Sequence, residues 1–166
     1  MDRLWAPWRM EYLLDEKPSG CIFCLPATSE QDRGRLVLHR TASSLVMLNR
    51  YPYTNGHLLI APHRHTAEMS DLSDTEMLDL FATVRTCRDV LQLTAKPEGY
   101  NIGMNLGRAA GAGVEDHLHL HIVPRWCGDT NYMSVIPDVR VMPENLFTTY
   151  DRLLPAFLAQ CPSADR

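Results

Sequence analysis

An α+β fold with a mainly antiparallel sheet is predicted by three features of this chain. Short strand-like apolar runs fall into two groups, residues 36–61 and residues 100–123. A single strongly amphipathic helical stretch, opening at Ser73, separates them. Neighbouring runs are joined so that they can pair as antiparallel partners, not as alternating βαβ units.

The first 20 residues read as an N-terminal extension. Leu4-Trp5-Ala6-Pro7-Trp8-Arg9 is aromatic and basic, and free tails rarely carry two tryptophans. It is expected to pack on the body or on a partner chain. Charges among its tryptophans argue against a signal peptide. Residues 25–35 are polar, include Gly34 and read as a loop. Residues 36–39 and 44–48 read as two short strands around a turn. Residues 51–56 form a turn, and 57–61 an apolar strand. Ser73-Asp74-Thr75-Glu76 is a capping box, and Met77, Leu80, Phe81, Val84 and Leu91 recur at helical spacing as a core stripe. Residues 100–104 are a strand and 107–113 a loop of small residues. Residues 118–123 form the last strand, which Pro124 should end. A second helix is expected over 143–158, with Pro143 in its first turn, followed by a tail to residue 166.

The 166 residues are one domain by length, with 45% hydrophobic and 22% charged residues. A formal net charge of −4 does not suggest a nucleic-acid binder, although a local cradle of donors could still hold a small anion. No run approaches the roughly 18 apolar residues of a membrane span. Five cysteines, without a secretory signal, point to reduced thiols or metal ligands in a cytoplasmic protein.

The most informative stretch is His117-Leu118-His119-Leu120-His121-Ile122-Val123. In a strand, alternate residues share a face, so the three imidazoles stand together and the aliphatics oppose them. Buried rings need hydrogen-bond partners, so such a row is costly in a plain core. Three readings stay open at this point. One is a metal site, although alternate strand residues lie about 6–7 Å apart and the outer two are far apart for one tetrahedral ion. A second is an imidazole nucleophile for two-step phosphoryl or nucleotidyl transfer. The third is a strand face that happens to be polar. The loop from Asn105 to Gly113 is rich in glycine and alanine, so its N–H groups can approach an anion. It lacks the Gly-Lys-Ser/Thr of a Walker loop. Feeding into three facing histidines, it favours phosphate chemistry.

Cys21-Ile22-Phe23-Cys24 is a redox pair, half a zinc site, or incidental; no thioredoxin-like context surrounds it. Trp126 could stack on a base or pack in the core. Arg64 and Arg108 could meet distal phosphates or stay solvated; His39 and His63 read as surface residues. Cys87 and Cys161 read as structural or incidental.

The row matches the motif His-φ-His-φ-His-φ-φ, and the chain resembles the histidine triad family over residues 21–129. Asn49 lies eight residues before His57, the spacing of the family's ribose-binding Asn or Asp and a further active-site His. The stretches 49–53 and 56–62 also resemble it. Pro124-Arg125-Trp126 and Gly128-Asp129-Thr130-Asn131 resemble the bacterial branch that includes diadenosine tetraphosphate phosphorylases. Asn at position 49 leans the same way; the phosphoramidase branch tends to carry Asp.

The resemblance implies a five-stranded sheet flanked by helices and continued across a homodimer. It implies that His119 attacks the α-phosphorus of a nucleotide, forming a nucleotidyl-histidine that water or phosphate resolves. His121 and His57 would surround the nucleophile. Asn105 and the N–H groups from Gly111 through Gly113 to Val114 would hold phosphate oxygens, and Asn49 the ribose. The loop Ser or Thr frequent in the family is matched here by Gly113, and the stretch from Asn105 to His117 is one residue longer. The hydroxyl is therefore missing. Related proteins complete a zinc site with residues matching His65 and His117, which implies structural Zn2+ on Cys21, Cys24, His65 and His117; Mg2+ could accompany a polyphosphate. The rivals are a nucleoside phosphoramidate hydrolase and a nucleotide-binding sensor with vestigial activity. No membrane or nucleic-acid partner is expected.

Overall fold

Runs of aliphatic residues with period-two alternation build the sheet. Five strands, β1 (Val37–Arg40), β2 (Ser44–Leu48), β3 (Leu58–Pro62), β4 (Gly99–Met104) and β5 (Leu120–Arg125), pair antiparallel in the order β1-β2-β3-β5-β4. The computed structural model describes residues 20–26, 30–129 and 142–160. The aromatic N-terminal segment, Cys161 and Thr130-Asn131 lie outside the described residues. None of the helices described is long and apolar enough to cross a membrane.

The two sheet faces are covered unequally. Leu36, Leu38, Val46, Leu48, Leu58, Ile60, Leu120 and Ile122 meet α2 (Asp74–Ala95) and α3 (Leu146–Gln160). Val37, Leu45, Met47, Leu59 and Ala61 face the other way, where Phe23 and its neighbours cover them. The thin second layer leaves room for chemistry on that face.

The capping box at Ser73 forms as predicted: Ser73 Oγ accepts the Glu76 N–H at 3.3 Å, and the Glu76 carboxylate accepts the Ser73 N–H at 2.9 Å. Such a cap contributes about 1 kcal/mol. Leu80, Val84, Cys87 and Leu91 form the buried stripe. Phe81 does not belong to it. It is 51% exposed, because one residue advances the helix by about 100° and turns it away from the sheet.

Strands β1, β3 and β4 each start one residue away from the sequence reading, and three departures are larger. The 25–35 loop contains one helical turn, α1 (Asp32–Arg35), and Arg40 reaches back to the Asp32 carboxylate. The last helix starts after Pro143, not with it. Asn145 caps it, its Oδ1 accepting the Phe147 N–H at 2.8 Å and its carbonyl the Thr149 N–H at 2.9 Å. Finally, regular pairing in β5 begins at Leu120 rather than residue 118, and Pro124 sits inside the strand opposite Tyr100. The Pro124 carbonyl accepts Thr54 Oγ1 at 2.8 Å on the side where β3 has already ended, so the missing N–H breaks no ladder bond.

Candidate active site

Alternation around β5 places Leu118, Leu120 and Ile122 in the helix-side core and the three histidines on the thin face. Leu59 pairs with His121, so His57, two residues earlier, stands on the same face as the row. The rings are in contact: centroids are 4.9 Å apart for His119–His121 and 5.1 Å for His57–His121. Phe23 lies against His117 and His119 at 5.1 and 4.9 Å. Phe23 has no role in the sequence reading, and its only signal there is its place between two candidate ligand cysteines.

The three rings of the row are not equivalent. His119 Nδ1 is 2.8 Å from the His117 carbonyl. A carbonyl only accepts, so Nδ1 carries the proton and the Nε2 lone pair is left for chemistry. His117 Nε2 is 2.9 Å from the Pro62 carbonyl, which leaves its Nδ1 lone pair free. His121 Nδ1 is 2.9 Å from His57 Nε2, and His121 Nε2 is buried with no partner among the described residues.

Burial, with the neighbouring His121 and His119, pushes the His57 imidazole down to about 3. Burial and His119 push His121 down to about 4. Both are therefore neutral at pH 7. In the unfolded chain each would take up a proton near its ordinary 6.5. Between that value and the folded ones, the unfolded state binds more protons, so stability rises with pH there. The stabilisation is complete above about 6.5 and is lost as pH falls toward 3–4, at about 1.4 kcal/mol per pH unit per group. Melting temperature measured from pH 7 to 4 should fall less steeply in His57→Gln than in the parent; parallel slopes would refute the assignment.

His117 Nδ1 points away from the row into a second group. It lies 3.1 Å from Cys21 Sγ, 3.7 Å from Cys24 Sγ and 3.2 Å from His65 Nδ1, and Cys24 Sγ is 3.3 Å from His65 Nδ1. All four ligand atoms lie within 4.8 Å of one another. Tetrahedral zinc with thiolate and imidazole ligands has ligand–ligand edges of about 3.3–3.8 Å, so the group fits such an ion. The outer nitrogens are engaged too, His117 Nε2 by the Pro62 carbonyl and His65 Nε2 by Asp116 at 3.7 Å, as is usual for metal-bound imidazoles. It is the one candidate metal group found among the described residues, and no carboxylate cluster of the kind Mg2+ prefers accompanies it.

The remaining predicted residues scatter around these two centres. Gly103 pairs with His121, so Asn105, two residues on, follows on the histidine side. Gly111 adopts φ +82° at the end of a 3-10 turn, a conformation glycine takes without strain. Gly113 and Val114 line an open cavity of about 600 Å³ with Cys21, Ile22, His65 and Asp116. Val114 also packs on the Phe23 cluster. Trp126 is half-buried just beyond β5. Arg64 pairs with Glu76 at 2.9 Å on the surface. His63 is exposed as expected, whereas His39 is half-buried, stacked 5.9 Å from Phe157.

A model of the HIT domain matches residues 31–127, more than half of the chain. The chain belongs to the HIT domain family. It is 36% identical over 172 residues to a Mycobacterium tuberculosis protein named AP-4-A phosphorylase, covering 98% of this chain and 87% of that one. It is 38% identical over 112 residues to adenosine 5'-monophosphoramidase hnt1 of Schizosaccharomyces pombe, covering 64% and 74%. Among solved structures, a zinc-bound histidine triad family protein from Mycobacterium smegmatis superposes with a TM-score of 0.65 at 27% identity, over 87% of this chain and 97% of that one. The HIT fold therefore accounts for the antiparallel sheet, its flanking helices and the strand that carries the row.

Proposed function

We propose that this HIT protein is an enzyme that cleaves dinucleoside polyphosphates at the α-phosphate through a nucleotidyl-His119 intermediate. The observation that carries the reading is the His119 ring, held at Nδ1 by its neighbour's carbonyl with Nε2 left as a nucleophile beside the unpartnered Nε2 of His121. In the first step the Nε2 lone pair forms the N–P bond and the bond from phosphorus to the leaving polyphosphate oxygen breaks. In the second, an oxygen of phosphate or water attacks phosphorus and the N–P bond breaks, restoring the ring. His57 and His121 surround the reacting phosphorus. Asn105 and the N–H groups of Gly111 to Val114 hold its charged oxygens. Asn49 contacts the ribose, and Trp126 supplies a face for a base. Gly113 brings no hydroxyl, so leaving-group protonation falls to the imidazoles.

The Cys21, Cys24, His65 and His117 group is read as structural zinc. Two thiolates favour zinc over magnesium, four protein ligands leave no position for water, and the related Mycobacterium smegmatis structure is zinc-bound. Mg2+ has no part in this reading. The four described cysteines form no disulfide among the described residues, which suits the reducing cytoplasm. The outer strand β4, with Ile102 48% exposed, offers an unpaired edge on which a second copy continues the sheet.

The deciding assay supplies diadenosine tetraphosphate with and without inorganic phosphate. The name of the Mycobacterium tuberculosis relative favours phosphate as acceptor, so ADP plus ATP is the expected product pair, from protein eluting at about twice 18.9 kDa. AMP in place of ADP would make water the acceptor. Turnover confined to phosphoramidates, as the name of the Schizosaccharomyces pombe relative suggests, would replace this reading with its rival; tight nucleotide binding without turnover would make the protein a sensor.

A further inference from the structure

Asn49 does more than face a nucleotide. Its Oδ1 accepts the Tyr51 N–H at 2.9 Å, which settles the orientation of the amide. Reversed, its NH2 group would confront that N–H, donor against donor. Its Nδ2 therefore faces His57 Nδ1, at 3.2 Å. The Tyr53 N–H points at the same His57 Nδ1, also at 3.2 Å. Two donors converge on one ring nitrogen, so that nitrogen is an acceptor and the His57 proton sits on Nε2. His57 Nε2–H then donates across 2.9 Å to His121 Nδ1, and the His121 proton is forced onto Nε2. That Nε2–H is buried and unpartnered among the described residues. A buried donor left unsatisfied is unfavourable, and the cost is met when a ligand oxygen takes the position.

We infer that Asn49 is a positioning residue: its amide fixes the tautomer of His57 and, through His57, presents His121 Nε2–H as a hydrogen-bond donor to the reacting phosphate or its leaving oxygen. The loop is built to hold this arrangement. Asn49 N–H donates to the His57 carbonyl at 2.9 Å and His57 N–H to the Thr54 carbonyl at 3.2 Å, so amide and imidazole are clamped by their own backbones. The Tyr53 ring lies 4.7 Å from His57 and 6.1 Å from His121, covering the pair. Burial keeps both rings neutral at pH 7, so each holds one proton whose place matters. Asp at position 49 would favour the reverse order: against the Tyr53 N–H, a carboxylate facing Nδ1 draws a proton there, His57 Nε2 becomes an acceptor, and His121 Nε2 loses its hydrogen. The kinetic part of this inference rests on the nucleotidyl-transfer reading; the tautomer part does not.

The test reads imidazole 15N resonances of the resting, uniformly labelled full chain, then the kinetics of Asn49→Asp with diadenosine tetraphosphate. His57 and His121 are each expected with a protonated Nε2 and an unprotonated Nδ1. Asn49→Asp should move a proton within the pair and lower kcat roughly 10- to 100-fold, part of the 10²–10⁴ that a positioned acid supplies, with KM changed by less than about threefold. A ribose contact alone would leave kcat and tautomers untouched, whatever the change in KM; that outcome overturns the inference, as does a wild-type His57 protonated at Nδ1. Should Asn49→Asp fail to fold, the wild-type resonances still decide. Should no nucleotide be turned over, the proposed activity fails while the tautomers are still read.

Discussion

His119→Ala is expected to lower kcat by about 10⁴–10⁶-fold, the loss seen when a covalent nucleophile is removed and the two-step route closes. The ring is 5% exposed and packs on Phe23, so truncation also leaves a small cavity and costs about 1–3 kcal/mol of stability. The two effects separate cleanly, since a loss of that size leaves a folded protein whose melting transition stays cooperative. A nucleotide labelled at the α-phosphorus should mark wild-type protein covalently after a rapid quench, with an acid-labile, base-stable bond, and leave His119→Ala unmarked. Near-normal kcat in the folded variant would end the nucleophile assignment, and so would a covalent label surviving in it.

Removing the metal should have the second-largest effect. One zinc per chain is expected in protein purified without chelator or affinity tag. Metal-binding energy is folding energy in such sites. The group joins residues 21–24 to positions 65 and 117, so its loss frees the segment that covers the histidine face. A loss of about 3–5 kcal/mol, at roughly 2–4 °C per kcal/mol for a chain of this size, lowers Tm by about 6–20 °C after chelation or in Cys24→Ser. Activity should follow more gradually. His117 links the two centres, its Nδ1 in the metal group and its carbonyl on His119 Nδ1, so a loosened His117 also loosens the nucleophile's tautomer. Zinc near zero, with full activity and unchanged Tm after chelation, would return both cysteines to ordinary thiols.

Much of the fold was legible because its signals are local. Short apolar runs bounded by turns, and alternation in the histidine stretch, identified the five strands, and a four-residue capping box located the start of the long helix. Boundaries were less legible where one residue had two readings. Pro124 reads as a stop, yet the strand it interrupts has no neighbour on that side beyond β3. Pro143 reads as a helix start, yet Asn145 competes for the cap and wins, because its side chain satisfies an N–H that proline cannot. Phe81 reads as core by spacing, but the stripe is already filled by Leu80 and Val84.

The candidate site divides in the same way. Period-two geometry alone determined that three imidazoles share a face, because side-chain direction in an extended chain follows from the backbone. The motif and its spacing to His57 and Asn49 marked the family. What a ring nitrogen does depends on what stands opposite it, and only tertiary structure decided that. The Pro62 carbonyl that turns His117 Nδ1 outward is 55 residues away in sequence, and the thiol facing that nitrogen is 96 away. His121 lies 64 residues from the His57 whose proton it accepts. His117 and His121 therefore take their settings from partners that the fold brings to within about 3 Å, a hydrogen-bonding distance that no local pattern encodes, whereas His119 is held by the carbonyl two residues before it.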